Sequence, residues 1–251
     1  MTSAADDLFL LAAGGLAGAV GSAGGITSLI SYPALLLVGI PPLAANVTQA
    51  VAFVGCLPGS ALGSRPELQG QWPWFRRWAV LAAAGGASGA ALLLCTPADA
   101  FARIVPFLLA FASVALLFQP RISTWREGRF ERSDRYLLPG SLVAVSVYDG
   151  YFGAGSGVMV LALLLLTVDQ ELLRANALKN VMLGLADVVA AVAFAVFGPV
   201  RWTAALPLAL GLLAGSLIGP SVTRRVPANV IRIVAAAAGM GLAIRLWIVP
   251  A

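Results

Sequence analysis

Asn176, Asn180, Leu183 and Asp187 recur at steps of four, three and four along an apolar segment, the spacing of one helix face. Three polar side chains on one face of such a helix must look inward, at protein or at water. Asp187 lies deep in the segment. A carboxylate there is suited to carrying a proton or ion, or serves as a hydrogen-bonded structural Asp. Asp149, beside Tyr148, either titrates or caps a short helix. Lys179 is the sole lysine. It either pairs with an anion or snorkels to the headgroup layer, and snorkelling is the favoured reading. Asn46, Thr48 and Gln49 either line the same cavity as this stripe or simply pack.

Two glycine clusters interrupt apolar sequence: Gly21-Ser22-Ala23-Gly24-Gly25 and Gly153-Ala154-Gly155-Ser156-Gly157. Glycine permits positive φ and bares the backbone amides. A helix starting just after such a break offers free N–H groups and a positive dipole end, which suit an anion. Ser22, Thr27, Ser28 and Ser156 add hydroxyl donors. The alternative is close helix packing through small residues. The spacing of Gly150 to Gly157 also mimics a dinucleotide fingerprint. That motif needs a strand before it, and apolar helix flanks it here.

Other chemistries are excluded or unsupported. Histidine is absent, which rules out His triads and His metal ligands. Cys56 and Cys95 lie far apart in apolar segments, form no CxxC pair, and read as packing residues. There is no convergent nucleophile, base or metal set, so an enzyme is not expected, nor a cofactor or metal. The net charge of +5 comes from short connections rich in Arg, which membrane topology explains without nucleic acid.

The elements that position these residues are membrane helices. Apolar residues make up 60% of the 251 and charged residues 11%, with a mean hydropathy of +0.91. A soluble domain carries about a quarter charged residues. Several stretches approach the ~20 residues that span a bilayer. Expected crossings fall at about 43–63, 74–95, 101–119, 136–152, 157–168, 175–197, 203–222 and 229–249, with shorter helices at 8–21 and 26–38. Trp72, Trp74, Trp78, Trp125, Trp202 and Trp247 mostly flank span ends and read as interfacial anchors. Met1 to Asp7 has no basic run, so a cleaved signal peptide is not expected.

The chain also repeats. Gly18-Ala-Val-Gly21-Ser-Ala-Gly-Gly25 matches Gly150-Tyr-Phe-Gly153-Ala-Gly-Ser-Gly157. Asn46 matches Asn176, Gly70 to Trp74 matches Gly198 to Trp202, and Pro97-Ala98 matches Pro227-Ala228, all at nearly constant offset. The halves are residues 8–119 and 136–249. The linker 120–135 carries Arg121, Arg126, Arg129, Arg132 and Arg135 and is expected to be cytoplasmic. If each glycine cluster breaks a helix in two, the remaining arginines also favour the cytoplasmic side, and the N-terminus lies outside. Each half then has five elements, an odd number, so the halves are inverted. The fold class expected is an all-α integral membrane protein of two inverted repeats, about five helical elements each, with glycine-broken helices near the midplane.

At these motifs the chain resembles the TauE/SafE family of membrane permeases, known as sulfite exporters. The family pattern is a helix breaking at a glycine-rich element, a proline soon after, then a short turn before a helix that starts with polar residues, repeated in the second half. The first copy here is Gly18 to Gly25, Pro33, Gly39 and Asn46-Val-Thr48. The second is Gly150 to Gly157, then Asn176 and Asn180, without the trailing proline. The triple glycine of the family reads Ala23-Gly-Gly25 and Gly155-Ser-Gly157. The resemblance implies a multi-pass protein of the bacterial inner membrane that exports a small sulfur oxyanion or organosulfonate, with protons as a coupling ion. On the residues alone, the expected activity is a secondary transporter of a small anion. Gly21, Ser22, Gly24, Gly25, Asn46, Thr48, Gln49, Gly153, Gly155, Ser156, Asn176, Lys179 and Asn180 would bind it. Asp187 or Asp149 would carry the proton. An uncoupled anion channel, or a permease for another small carboxylate or oxyanion, remains the alternative. Expected partners are the anion and the bilayer, and self-association is left open.

Overall fold

A computed structural model describes residues 3–24, 27–59, 68–124, 137–167, 172–223 and 228–248. Among these residues the chain is helical and contains no strand. The helices are α1 (Ala4–Gly24), α2 (Ser28–Leu37), α3 (Pro42–Ala52), α4 (Trp72–Leu94), α5 (Ala98–Thr124), α6 (Leu137–Tyr151), α7 (Ser156–Thr167), α8 (Leu172–Phe197), α9 (Trp202–Thr223) and α10 (Ala228–Ile248). Four segments are long and apolar enough to cross a bilayer: Ala4–Gly21, Trp72–Leu94, Ala98–Phe118 and Arg174–Phe197. Large side chains such as Leu37, Val80, Phe107, Val196 and Phe197 are exposed. In water that surface would be costly, but against lipid it is not, and the protein is a multi-pass membrane protein.

Local sequence sets the helix ends. Ser3 and Asp6 cap α1 reciprocally: the Ser3 amide donates to Asp6 Oδ2 (2.7 Å) and the Asp6 amide donates to Ser3 Oγ (3.2 Å). Pro42 opens α3 and Pro73 sits in the first turn of α4, where a missing N–H costs nothing. The span expected at 43–63 is less regular than the sequence suggests. It tightens into a 3-10 turn at Phe53–Cys56 before helical backbone resumes over 57–59. At the other side of the linker, α5 continues past the expected boundary at 119 to Thr124. The rest of the linker, 125–135, lies outside the described residues.

Packing joins the halves. α1 lies along α9, and α4 lies along α6 and α8. Small residues permit this closeness. A Cβ placed on Gly18 would come 2.9 Å from the Ser216 amide nitrogen, and one on Gly89 would come 2.8 Å from that of Tyr151. The third helices of the two halves, α3 and α8, meet head to tail: Val47 packs on Gly198 and Leu57 on Gly184. The last helices, α5 and α10, do the same. Phe107 sets its ring against Trp247 (4.7 Å), while Ser113 meets Gly239.

Candidate functional site

Both glycine clusters end a helix and begin another. The first separates α1 from α2, with Thr27 as the turn before Ser28. A Cβ on Gly21 would fall 2.8 Å from the Thr27 Cβ, so glycine is what lets the chain fold back there. The second separates α6 from α7. Gly153 and Gly155 take φ of +77° and +80°, a region that side chains with a Cβ avoid. The Tyr148 hydroxyl donates to the Ala154 carbonyl (2.6 Å), and Ser156 Oγ donates to the Gly153 carbonyl (2.8 Å), pinning the turn.

A cavity of about 100 Å³ lies between the two breaks. Break one contributes Gly21, Thr27 and Ser28. Break two contributes Asp149, Gly153, Ser156 and Gly157. α8 contributes Lys179, Asn180, Leu183, Gly184 and Asp187, and the end of α3 contributes Phe53, Cys56 and Leu57. The starts of α2 and α7 therefore both border one small space. Each helix start carries partial positive charge, although the Ile30, Ser156 and Val158 amides already donate to the Thr27, Gly153 and Gly155 carbonyls.

Lys179 does not snorkel. It is 2% exposed and faces this cavity, and among the described residues no carboxylate pairs with it. The sequence reading favoured the headgroup layer. It is buried at the cavity instead. Asp149 Oδ2 is buried without a hydrogen-bond partner. The cavity thus holds a fixed cation, hydroxyls, an amide and two carboxylates. It can receive a small anion beside groups that can exchange a proton.

Of the residues nominated from sequence, the structure brings Gly21, Gly153, Ser156, Lys179, Asn180, Asp149 and Asp187 together here. It places others elsewhere. Asn46 Nδ2 donates to the Tyr151 carbonyl (2.9 Å). Thr48 Oγ1 accepts from the Arg201 amide (3.0 Å). Gln49 Oε1 accepts from Ser31 Oγ (2.9 Å). These three are buried ties between helices and do not line the cavity. Gly155 packs on Ala112 of α5, 3.3 Å from where its Cβ would be. Asn176 is on the predicted face but outside the cavity lining, and its Oδ1 is buried without a partner. Ser22 and Gly24 lie in the last turn of α1. Gly25 lies outside the described residues.

Sequence reasoning missed Phe53, Cys56 and Leu57. Both cysteines read as packing residues, yet Cys95 is exposed and Cys56 borders the cavity. Gly55, between Phe53 and Cys56, is the signal that was available. It packs on Ala209 of α9, where a Cβ would come 2.6 Å from the carbonyl oxygen, and it marks the tightened turn.

Comparison with known proteins agrees with this architecture. The family model described as "Sulfite exporter TauE/SafE" matches residues 10–246. A Sinorhizobium protein named "Probable membrane transporter protein ORF9" is 30% identical over 243 residues, 95% of this chain and 91% of that one. A "Probable membrane transporter protein" of Haemophilus influenzae is 28% identical over 216 residues, 84% of this chain and 82% of its own. "Probable membrane transporter protein YfcA" of Escherichia coli K12 is 27% identical over 211 residues, 81% and 76%. No solved structure matches.

Proposed function

Because the chain belongs to the TauE/SafE family and is a membrane transporter, we propose that it exports a small sulfur oxyanion or organosulfonate across the bacterial inner membrane, coupled to protons. The observation that carries this reading is the convergence of two helix starts and Lys179 on one cavity. Helix N-termini and an ammonium group favour an anion, and the dimensions favour a small one. The names of the relatives support transport, and the family description supports sulfite as cargo.

In this reading Lys179, Asn180, Ser28, Ser156 and the first-turn amides of α2 and α7 hold the anion. Asp149 and Asp187 border the same space, so their charge state and the anion's presence must influence each other. Binding an anion is easier when the carboxylates are protonated, since like charges at short range repel. That is the physical basis for moving proton and anion together. The two halves are inverted repeats, a reading that the head-to-tail contacts of α3 with α8 and of α5 with α10 support. The N-terminus is outside and the 120–135 linker cytoplasmic, as the arginine distribution suggests.

Reconstituted protein tests it. Proteoliposomes should take up or release sulfite or sulfoacetate with saturable kinetics that respond to an imposed pH gradient. Flux equal to that of empty liposomes for each anion would sink the reading. Flux that neither saturates nor responds to the gradient would make the protein a channel.

A further inference from the structure

We infer that the cavity selects a zwitterion: Lys179 and Asn180 hold the anionic end of the cargo and Asp149 holds an ammonium group, so the preferred cargo is a small amino sulfonate rather than a plain anion. The inference rests on the transporter reading above and narrows the class of cargo.

The charges of the wall carry the argument. Lys179, Asp149 and Asp187 all border the cavity. A plain anion meets one favourable charge there and a carboxylate on each of two helices. Lys179 and Asp149 are both buried, at 2% and 9% exposure. They come from different helices, α8 and α6, and face one space of about 100 Å³. Yet the two are not joined. Among the described residues no carboxylate pairs with Lys179, and Asp149 Oδ2 is buried without a hydrogen-bond partner. Opposite charges buried in one space and left apart are costly. A molecule with the complementary pair of charges relieves both. A plain anion relieves Lys179 alone and is repelled by Asp149.

The state of the carboxylate says what is missing. A carboxylate oxygen only accepts, so Oδ2 lacks a donor. The hydroxyls of the neighbouring turn already donate elsewhere, Ser156 Oγ to the Gly153 carbonyl (2.8 Å) and Tyr148 to the Ala154 carbonyl (2.6 Å). Asp149 Oδ1 is turned toward the break, 3.6 Å from where a Cβ on Gly153 would lie. An ammonium group supplies both donors and charge. Asp187 is only half-buried and stands on the same helix as Lys179, so it keeps the proton role proposed above. Phe53, Leu57 and Leu183 complete an apolar part of the wall, which suits a short carbon chain better than a bare oxyanion. The capacity to hold an anion stays with Lys179, and Asp149 chooses among anions.

The test compares three sulfonates of one size in proteoliposomes: 2-aminoethanesulfonate, 2-hydroxyethanesulfonate and ethanesulfonate. Near neutral pH the first carries an ammonium group, the second a hydroxyl in its place, and the third neither. In the parent, the amino compound should half-saturate flux at a concentration about ten to a hundred times lower than either of the others, the worth of a hydrogen bond to a charged group. Asp149→Asn should bring that ratio close to one, and Asp187→Asn should preserve it. The ratio is taken within one preparation, so a change in overall rate or in the amount of folded protein drops out. Asp149→Ser covers the case in which Asp149→Asn does not fold, and the parent's ratio is decisive without either variant. A parent ratio near one, a hydroxy compound carried as well as the amino compound, or a preference that survives in Asp149→Asn overturns the inference. The two readings fail differently. Saturable flux of all three sulfonates without preference overturns the zwitterion alone, and absence of flux for all three overturns the transporter reading beneath it.

Discussion

Lys179 and Asp187 stand on one face of α8, two helical turns apart, and both border the cavity between the glycine breaks. At about 1.5 Å of rise per residue the two charged positions bracket roughly 12 Å of the cavity wall. An ammonium and a carboxylate at that separation do not cancel each other. Each is left available to what enters the space between them.

Removing the cation should weaken anion binding. A hydrogen bond to a charged group is worth about 1.5–3 kcal/mol, which is roughly ten- to a hundredfold in affinity. Lys179→Met is therefore expected to raise the half-saturating anion concentration by that factor in proteoliposome flux, with Lys179→Arg retaining part of it. An unchanged half-saturation value in Lys179→Met would remove Lys179 from the site.

The carboxylates should govern the response to pH rather than the capacity to bind. Asp187→Asn is expected to leave downhill anion exchange measurable while abolishing the effect of an imposed pH gradient. If flux still follows the gradient in Asp187→Asn, Asp149→Asn should abolish the effect in its place. Retention in both variants would place coupling elsewhere.

The break between α6 and α7 should tolerate little. Gly153 has φ +77°, and a side chain with a Cβ pays about 1–2 kcal/mol to sit in that region. A Cβ on Gly153 would also come 3.2 Å from the Asp149 carbonyl oxygen, and one on Gly155 3.3 Å from Ala112. Both variants should lower the apparent Tm in detergent by a few degrees. Gly39→Ala supplies the comparison: its φ is also positive, but a Cβ there meets no neighbour. Both should lose more than Gly39→Ala, and equal loss in all three would leave the contacts with Asp149 and Ala112 without consequence.

Much of this was legible from residues because the relevant signals are local. Glycine clusters in apolar sequence gave both breaks, and a four-three-four spacing placed Asn180 and Asp187 on the face that reaches the cavity. What was not legible depended on which helix lies opposite. Asn46 and Asn176 occupy matching positions in the repeat, so sequence alone treated them alike. Only the tertiary contacts show one bonded to Tyr151 and the other without a partner at Oδ1. Lys179 is similar. A lone lysine in a membrane helix reads as snorkelling, and its burial depends on the helices that pack around it. Cys56 was hidden by a tightening of α3 that no periodic pattern announces.

The central claim is that the anion sits between the two glycine breaks. A structure determined with bound selenite tests it most directly, because selenite is a pyramidal oxyanion like sulfite and its selenium scatters anomalously. The account predicts a selenium peak in the cavity, within hydrogen-bond distance of Lys179 Nζ and of the first-turn amides of α2 or α7. A peak at the arginines of the 120–135 linker, with the cavity empty, would contradict it.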